Sequence, residues 1–126
     1  MIDCLDLIRS RSEDKDKAMR VEENCRDLKK LAKDLAIPVL VVSRLNRFPR
    51  QTGPKLSDLP GSGAIEAVAD VIMLLHSGLE PLLDDQEQDR SAVLIVAKHR
   101  NGPTGMIPLY FEFEFANFRE LHRVKK

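Results

Sequence analysis

The sequence predicts an α/β domain in which a mostly parallel sheet is covered by helices and followed by a C-terminal β-hairpin. Two continuous apolar runs, at 37–42 and 70–76, contain β-branched residues and are typical of strands buried on both faces of a parallel sheet. A helical pattern precedes the first run, which gives half of a βαβ unit. An Asn101-Gly102 pair between two further strand-like segments predicts the hairpin.

The first third of the chain predicts a strand end and one amphipathic helix. The apolar segment 1–8, interrupted by Asp3 and Asp6, is typical of the end of a strand, and a charged surface loop follows at 9–17. Apolar residues then recur at steps of three and four and predict a helix at 18–35 with one apolar stripe. The stripe comprises Ala18, Val21, Cys25, Leu28, Ala32 and Leu35.

The middle of the chain predicts a long loop, a short helix and an acidic surface segment. The loop at 44–60 carries three prolines and a glycine, and loops of that length in a compact domain are usually functional or disordered. The helix is expected at 61–69, where Ser62 is a candidate N-cap. After the second buried strand, the acidic stretch 79–90 is expected on the surface.

Two strands at 91–98 and 106–115 form the predicted hairpin. In the second of them, three phenylalanines alternate with two glutamates, which predicts one buried and one solvated face. The phenylalanines are Phe111, Phe113 and Phe115. The basic tail after Phe118 is expected to fray.

Length and composition limit the function classes. The 126 residues suit one domain with a modest core, and the 20 acidic and 20 basic side chains balance, so net charge favours neither nucleic acid nor a membrane surface. Cys4 and Cys25 lack the spacing of a zinc site or a disulfide framework, which favours reduced thiols in the cytoplasm. The sequence predicts no transmembrane helix and no signal peptide.

Four segments, taken in order, resemble the DnaB family of hexameric DNA helicases. They are IDCLDLI at 2–8, IPVLVVSRLNR at 37–47, SDLPGSGAIEAVADVIMLLH at 57–76 and AKHRNGPTG at 97–105. No one of them is diagnostic, but the ordered set covers nearly the whole chain. The resemblance implies a partial RecA-like P-loop NTPase core over 1–126, belonging to a ring that threads one DNA strand and hydrolyses ATP between subunits.

The phosphate-binding loop of such a motor has no match in this sequence. Nothing fits GxxxxGK[ST], and the family carries that Walker A loop and its catalytic glutamate upstream of the segment matched by 2–8. We therefore expect a fragment or a truncated gene product that is inactive alone. The Walker A strand of RecA-like sheets lies between the strands matched by 39–42 and 71–75, so open edges there predict marginal stability or dimerisation.

The resemblance assigns Asp3 and Arg44 to the nucleotide. Asp3 matches the Walker B aspartate, which holds Mg²⁺ through water against the phosphates of ATP. Arg44 stands where the family has a glutamine that senses the γ-phosphate, and arginine brings a fixed charge to that position. From the residues alone, a strand-end acid that caps a loop and a plain surface arginine remain alternatives.

Lys98 and Arg100 lie at the predicted hairpin tip. In the family, the matching lysine and arginine reach the nucleotide of the neighbouring subunit, and the arginine acts as a finger that stabilises the charge on the transferring phosphoryl group. A solvated basic turn is the alternative reading of the same residues.

The predicted DNA contacts lie in the loop 44–60 and at the start of the following helix. Arg47, Arg50 and Lys55 give the loop a positive charge that attracts phosphate backbones without reading sequence. Ser62 and Gly63 keep part of a family motif that meets DNA in the ring channel, although the arginine and glutamate of that motif are replaced. A solvated loop and an ordinary helix start are the alternatives.

Three functions therefore compete. The first is part of an ATP-driven 5′-to-3′ helicase motor that assembles as a homo-hexamer on single-stranded DNA. The second is a non-catalytic homologue that binds helicase subunits or DNA. The third is a domain of another RecA-like family, such as the RadA-type or KaiC-like ATPases, which the hairpin segment 97–105 disfavours.

Overall fold

The structure, a computed structural model, describes residues 1–9, 16–46, 53–77 and 91–120. The described residues fall into two compact units, the first within 1–48 and 55–69 and the second within 49–54 and 70–126. Across the described ranges, no helix combines the length and the apolar character needed to cross a lipid bilayer.

The first unit contains a short parallel strand pair. Strand β1 (Ile2–Asp3) pairs with β2 (Val41–Val42), and Asp3 lies opposite Val42. The predicted strand at 37–42 is therefore shorter than expected, and the prediction that both of its faces are buried is wrong, because Ile37, Leu40 and Val42 are exposed. Within the described ranges β2 has β1 as its one strand partner.

Helix α1 (Lys17–Asp34) follows the prediction to within one residue at each end. Its buried residues are Val21 and Asn24. The Asn24 side-chain amide donates a hydrogen bond to the Ile8 carbonyl at 3.2 Å, which ties the helix to the segment after β1. The predicted apolar stripe is only partly buried, since Leu35 at its C-terminal end is exposed.

Helix α2 (Ser62–Val68) packs against α1. The predicted N-cap is wrong: Ser62 is the first helical residue, and Gly61 occupies the N-cap with φ +56° in the left-handed region. A Cβ on Gly61 would lie 3.0 Å from the Val21 Cγ1 atom. Glycine at this position therefore provides both the backbone conformation and the close approach of α2 to α1.

Asp58 organises the described part of the predicted long loop. A single turn of 3-10 helix spans Leu56–Asp58. The Lys55 backbone N–H donates to Asp58 Oδ2 at 2.8 Å, and the Asn46 N–H donates to the Asp58 carbonyl at 2.7 Å. The bond from Asn46 joins the two ends of the predicted loop, and the bond from Lys55 closes the turn at its C-terminal end.

The second unit is built on a four-stranded antiparallel sheet. Its strands run in the order β3 (Val71–Ser77), β4 (Ser91–His99), β5 (Gly105–Glu112) and β6 (Asn117–Glu120). The chain thus combines a parallel pair with a larger antiparallel sheet.

The predicted hairpin is present, with β4 and β5 joined by a turn at 100–104. The His99 imidazole lies against Gly102, and a Cβ on that glycine would come closer to the ring than real Cβ atoms do. The hairpin turn therefore requires either glycine at 102 or a different orientation of His99.

A β-bulge interrupts the pairing of β3 with β4. Met73 lies opposite Val96, whereas the preceding residue, Ile72, lies opposite Lys98. Ala97 is thus the extra residue on β4. The bulge advances the end of β4 by one position just before the hairpin turn.

Strand β3 lies where the second buried strand was predicted, but the prediction of two buried faces is wrong. Ile72, Leu74 and His76 are buried, and the residues between them are exposed. The exposed residues are Val71, Met73, Leu75 and Ser77. An apolar run thus indicates that at least one face of the strand is buried. Whether the second face is also buried depends on whether another layer covers it.

The phenylalanine pattern of β5 also differs from the prediction. The strand ends at Glu112, a turn follows, and Phe113 and Phe115 are exposed rather than buried. Phe111 packs against Phe118 of β6 with ring centroids 4.7 Å apart. After Phe118 the chain still pairs with β5 as far as 120, and 121–126 lie outside the described residues.

Candidate functional site

The parallel pairing of β1 with β2 brings two predicted site segments to one edge. Parallel strands end at the same edge of their sheet, so Asp3 and Ser43 lie side by side, Asp3 as the last residue of β1 and Ser43 directly after β2. The Asp3 side chain is exposed. A carboxylate at this edge is accessible to a ligand in solution.

Arg44, the next residue, is bound within its own unit. Its Nε lies 3.5 Å from Asp6 Oδ2, and its side chain is 73% exposed. Asp6 lies in the 3-10 turn Leu5–Leu7 and is only 17% exposed. The guanidinium is therefore directed to a partly buried carboxylate, and a contact with nucleotide requires this ion pair to open or to be shared.

The donor set at Asp3 suits one mode of magnesium binding. Within the part of the chain that the structure describes, no group of three His, Cys, Asp or Glu side chains converges to hold a metal. Mg²⁺ commonly keeps several waters and uses one or two carboxylates together with phosphate oxygens. Asp3 fits as that single carboxylate, provided that other residues hold the triphosphate.

The two predicted catalytic cations lie in the second unit. Lys98 is half-buried on β4, opposite Ile72, and Arg100 is the first residue of the hairpin turn. The Arg100 N–H donates to the Asp70 carbonyl at 2.8 Å, and Arg100 Nη1 lies 3.1 Å from Asp70 Oδ1. Both the backbone and the side chain of Arg100 are therefore positioned by Asp70, which directly precedes β3.

The Arg100–Asp70 pair lies at the surface, since the side chains are 47% and 53% exposed. Exposed ion pairs contribute about 0–1 kcal/mol to stability. A contact this weak holds the guanidinium in place without preventing its exchange to a stronger anion such as a phosphate.

The predicted DNA-binding residues are only partly described. Arg47 and Arg50 lie outside the described residues, and Lys55 is exposed with its backbone fixed by Asp58. Gly63 is exposed in the first turn of α2, and an added Cβ there would meet no atom within 4 Å. Ser62 begins the same helix.

Sequence reasoning missed two residues that shape the first unit. Asp6 interrupts an apolar segment in the sequence, and its ion pair with Arg44 joins residues 38 positions apart, which no local pattern reveals. The buried hydrogen bond of Asn24 could have been predicted from the sequence. Asn24 lies three residues after Val21 within the apolar stripe, and a buried polar side chain normally has a hydrogen-bond partner.

Comparisons with known proteins agree with this architecture. The family model of the DnaB-like helicase C terminal domain matches residues 1–120. The replicative DNA helicase DnaB of Leifsonia xyli subsp. xyli (strain CTCB07) is 43% identical over 126 residues, which cover 96% of this chain and 27% of that protein. The same enzyme from Haemophilus influenzae is 38% identical over 125 residues, which cover 96% and 26%. The chain thus spans about a quarter of the length of these relatives.

Two solved structures share the fold. One is an ATPase domain that superposes with a TM-score of 0.83 at 34% identity, over 96% of this chain and 44% of that one. The other is a DnaB-like replicative helicase, described with its interactions with primase, which gives a TM-score of 0.83 at 33% identity, over 96% and 30%. The expected RecA-like α/β fold and the family resemblance are confirmed. The chain belongs to the family of the DnaB-like helicase C-terminal domain.

Proposed function

We propose that residues 1–126 form part of the single ATPase domain of a replicative DNA helicase, in which a ring of six identical subunits unwinds duplex DNA in the 5′-to-3′ direction. The observation that carries this proposal is the parallel β1–β2 pair, which places Asp3 opposite Val42 and so beside Ser43 at one end of the two strands. That end is where open α/β sheets bind their ligands. The hairpin that presents Arg100 gives independent support.

The nucleotide half of the proposal assigns Asp3 to Mg²⁺ through water, with ATP as the cofactor. The metal ion neutralises charge on the β- and γ-phosphates when it is bound. Asp3 contributes an exposed carboxylate at the end of β1. Arg44 reaches a phosphate oxygen by exchanging it for Asp6, because both are anionic acceptors for the same guanidinium.

The catalytic half of the proposal assigns Lys98 and Arg100 to the nucleotide of an adjacent subunit. Two cations directed at a transferring phosphoryl group stabilise the negative charge that spreads over its oxygens. Asp70 sets the position of Arg100 before the neighbour arrives. Because the finger acts in trans, this chain contributes it even when the nucleotide is held by another subunit.

A rescue experiment tests this assignment. The helicase of Leifsonia xyli, with its own matching arginine replaced by alanine, is assembled together with this chain, and ATP hydrolysis is measured. We expect the chain to restore hydrolysis by on the order of a thousandfold per mixed interface, whereas the Arg100→Ala chain does not. Arg119→Ala is the matched control, since Arg119 is an exposed arginine of the same unit that pairs with Glu112.

Equal rescue by the native and Arg100→Ala chains contradicts the trans assignment. The Arg44–Asp6 ion pair favours the second candidate, a non-catalytic homologue that binds helicase subunits, because it directs Arg44 away from a simple sensor role. That candidate predicts a different result in the same assay. The chain then lowers hydrolysis by the intact Leifsonia enzyme, and replacing Arg100 changes nothing.

The proposed partner on the substrate side is single-stranded DNA, contacted by Lys55, Ser62 and Gly63 together with Arg47 and Arg50. Fluorescence anisotropy with an unstructured oligonucleotide measures it over a range of salt concentrations. Lys55→Ala is expected to weaken binding and to reduce the salt slope by about 1, as for the loss of one phosphate contact. Lys33→Ala, at the exposed end of α1, is the control and should leave the slope unchanged.

The proposed setting is the cytoplasm, with other helicase subunits as protein partners and no membrane partner. Two free thiols, Cys4 and Cys25, are in keeping with a reducing compartment.

A further inference from the structure

An open cleft of about 520 Å³ lies in the first unit, apart from Asp3. It is bounded by the 3-10 turn Leu5–Leu7, the first two turns of α1 and the residues directly after β2. Its volume is in the range of small-molecule sites. The charged and amide side chains that line it are Asp6, Lys17, Arg20, Asn24, Arg44 and Asn46.

The cleft carries a positive charge in a chain whose net charge is zero. Three cations and one carboxylate among the lining residues give the cleft a formal net charge of +2. Lys17 and Arg20 are three residues apart on α1 and therefore share a face. Within the described ranges neither forms an ion pair, so both are available to an anion.

Asp6 places a hydrogen-bond acceptor beside these cations. Its Oδ2 lies at the long distance of 3.5 Å from Arg44 Nε and keeps lone pairs for a further donor. Its Oδ1 is buried without a hydrogen-bond partner among the described residues, so Oδ2 is the oxygen that a ligand can reach. The wall of a cationic cleft thus contains a carboxylate that accepts a hydrogen bond from a donor on the ligand and repels an anion that lacks one.

We propose that this cleft binds orthophosphate, whose dianion still carries a hydroxyl at neutral pH. The anionic oxygens contact Lys17, Arg20 and Arg44, and the P–OH donates to the Asp6 carboxylate. Sulfate has the same shape and charge but no proton at neutral pH, so it meets the carboxylate with repulsion alone. An internal phosphodiester of nucleic acid also lacks the hydroxyl.

This inference does not depend on the proposed helicase role, because it uses neither Asp3 nor the hairpin. Of the residues assigned there, only Arg44 is shared. An experiment can therefore refute the orthophosphate site without refuting the proposed DNA contacts, and the reverse also holds.

Calorimetric titration of the purified chain with sodium phosphate and with sodium sulfate at matched ionic strength tests the proposal. We expect saturable phosphate binding at least tenfold tighter than sulfate binding, the difference that one charge-assisted hydrogen bond gives. Arg20→Gln should weaken phosphate binding roughly ten- to a hundredfold. Arg26→Gln is the control, because Arg26 is on the same helix, pairs with Glu22 and does not line the cleft.

Asp6→Asn gives the sharpest result. The asparagine amide donates to sulfate, so this variant should bind sulfate and phosphate with similar affinity. AMP is mostly a dianion without a P–OH at about pH 7.5, so it should compete with phosphate only weakly, and competition as strong as that of phosphate itself contradicts the proposal. If Asp6→Asn does not fold, the proposal is tested by the ratio of phosphate to sulfate affinity of the native chain and by the phosphate affinity of Arg20→Gln.

Three results for the native chain overturn the proposal. They are equal affinities of the native chain for phosphate and sulfate, no saturable phosphate binding, and displacement of phosphate by an oligonucleotide that lacks terminal phosphates. The last of these shows that the cleft takes phosphodiesters instead. An effect of Arg26→Gln as large as that of Arg20→Gln also overturns it, since binding then reflects the charge of the helix rather than the cleft.

Discussion

Replacing Gly61 by alanine tests how closely α2 approaches α1. Gly61 has φ +56° and ψ 42°, and an added Cβ lies 3.0 Å from Val21 Cγ1 and 3.2 Å from Val21 Cβ. Gly63, two residues on, has no atom within 4 Å of the same added Cβ. The chain therefore offers the same substitution at two neighbouring glycines in opposite environments.

The expected changes have opposite signs. At Gly61 the left-handed backbone costs an alanine about 1–2 kcal/mol, and the contact with buried Val21 adds to that cost. At Gly63, inside α2, alanine loses less backbone entropy on folding and should stabilise by about 0.5–1 kcal/mol. The two variants should thus differ by about 2–3 kcal/mol in the free energy of unfolding.

Urea unfolding followed by circular dichroism at 222 nm measures this difference, with the slope m checked for constancy. Adding Val21→Ala to each variant separates the causes: removing the Val21 side chain should relieve part of the Gly61→Ala cost and leave the Gly63→Ala gain unchanged. Equal destabilisation by the two glycine substitutions would refute the reasoning, because it would mean that neither φ nor the close contact matters.

Four further predictions concern other residues. Asn24→Ala should cost about 1–3 kcal/mol in urea unfolding, because it removes a buried donor from a carbonyl; a smaller loss would show that water replaces it. Arg100→Ala and Asp70→Ala should each change stability by no more than about 1 kcal/mol, with a coupling of similar size in a double-mutant cycle. Burial raises the pKa of the Cys25 thiol, so its alkylation at about pH 8, followed by site-resolved mass spectrometry, should be slower than that of free cysteine. Because the folded state favours the neutral Cys25 thiol, this group stabilises the fold at pH values below its unfolded-state pKa. That contribution is lost as the pH rises through the raised folded-state pKa, so the urea midpoint should fall over that pH range. Leu75→Lys should lower self-association of the chain, measured by sedimentation velocity, because it places a charge on the exposed face of β3. A sharp, cooperative thermal melt of the native chain as a monomer would contradict the predicted marginal stability.

The sequence predicted element type and order better than burial. Helix α1 and the β4–β5 hairpin follow from periodicity and from the Asn-Gly turn, both of which are local signals. The exposed face of β3 could not be predicted, since an apolar run has the same residues whether or not a second layer covers it. The prediction for Phe113 and Phe115 is wrong because the strand-like alternation continues in the sequence past Glu112, where the chain turns.

For the candidate site, the sequence suggested candidate residues and gave no information about their partners. Asp3 and Arg100 came from motifs, and the structure adds that Asp70 fixes Arg100 and that Asp6 binds Arg44. Those contacts depend on how distant segments meet, which a single sequence read by itself does not reveal. The cleft beside Asp6 was missed for the same reason, because its cations come from a helix start and a strand end.

The bulge at Ala97 makes the hairpin tip sensitive to length as well as to side chains. Side chains alternate between the faces of a strand, and Val96 is the last β4 residue with a partner on β5, so Ala97 can be deleted without breaking that ladder. Because Met73 pairs with Val96 and Ile72 with Lys98, such a deletion joins the two stretches of pairing into one regular ladder and leaves Lys98 opposite Ile72. Natural loss of this single codon would thus remove the local bend and extra twist of β4 while Lys98 keeps its partner on β3.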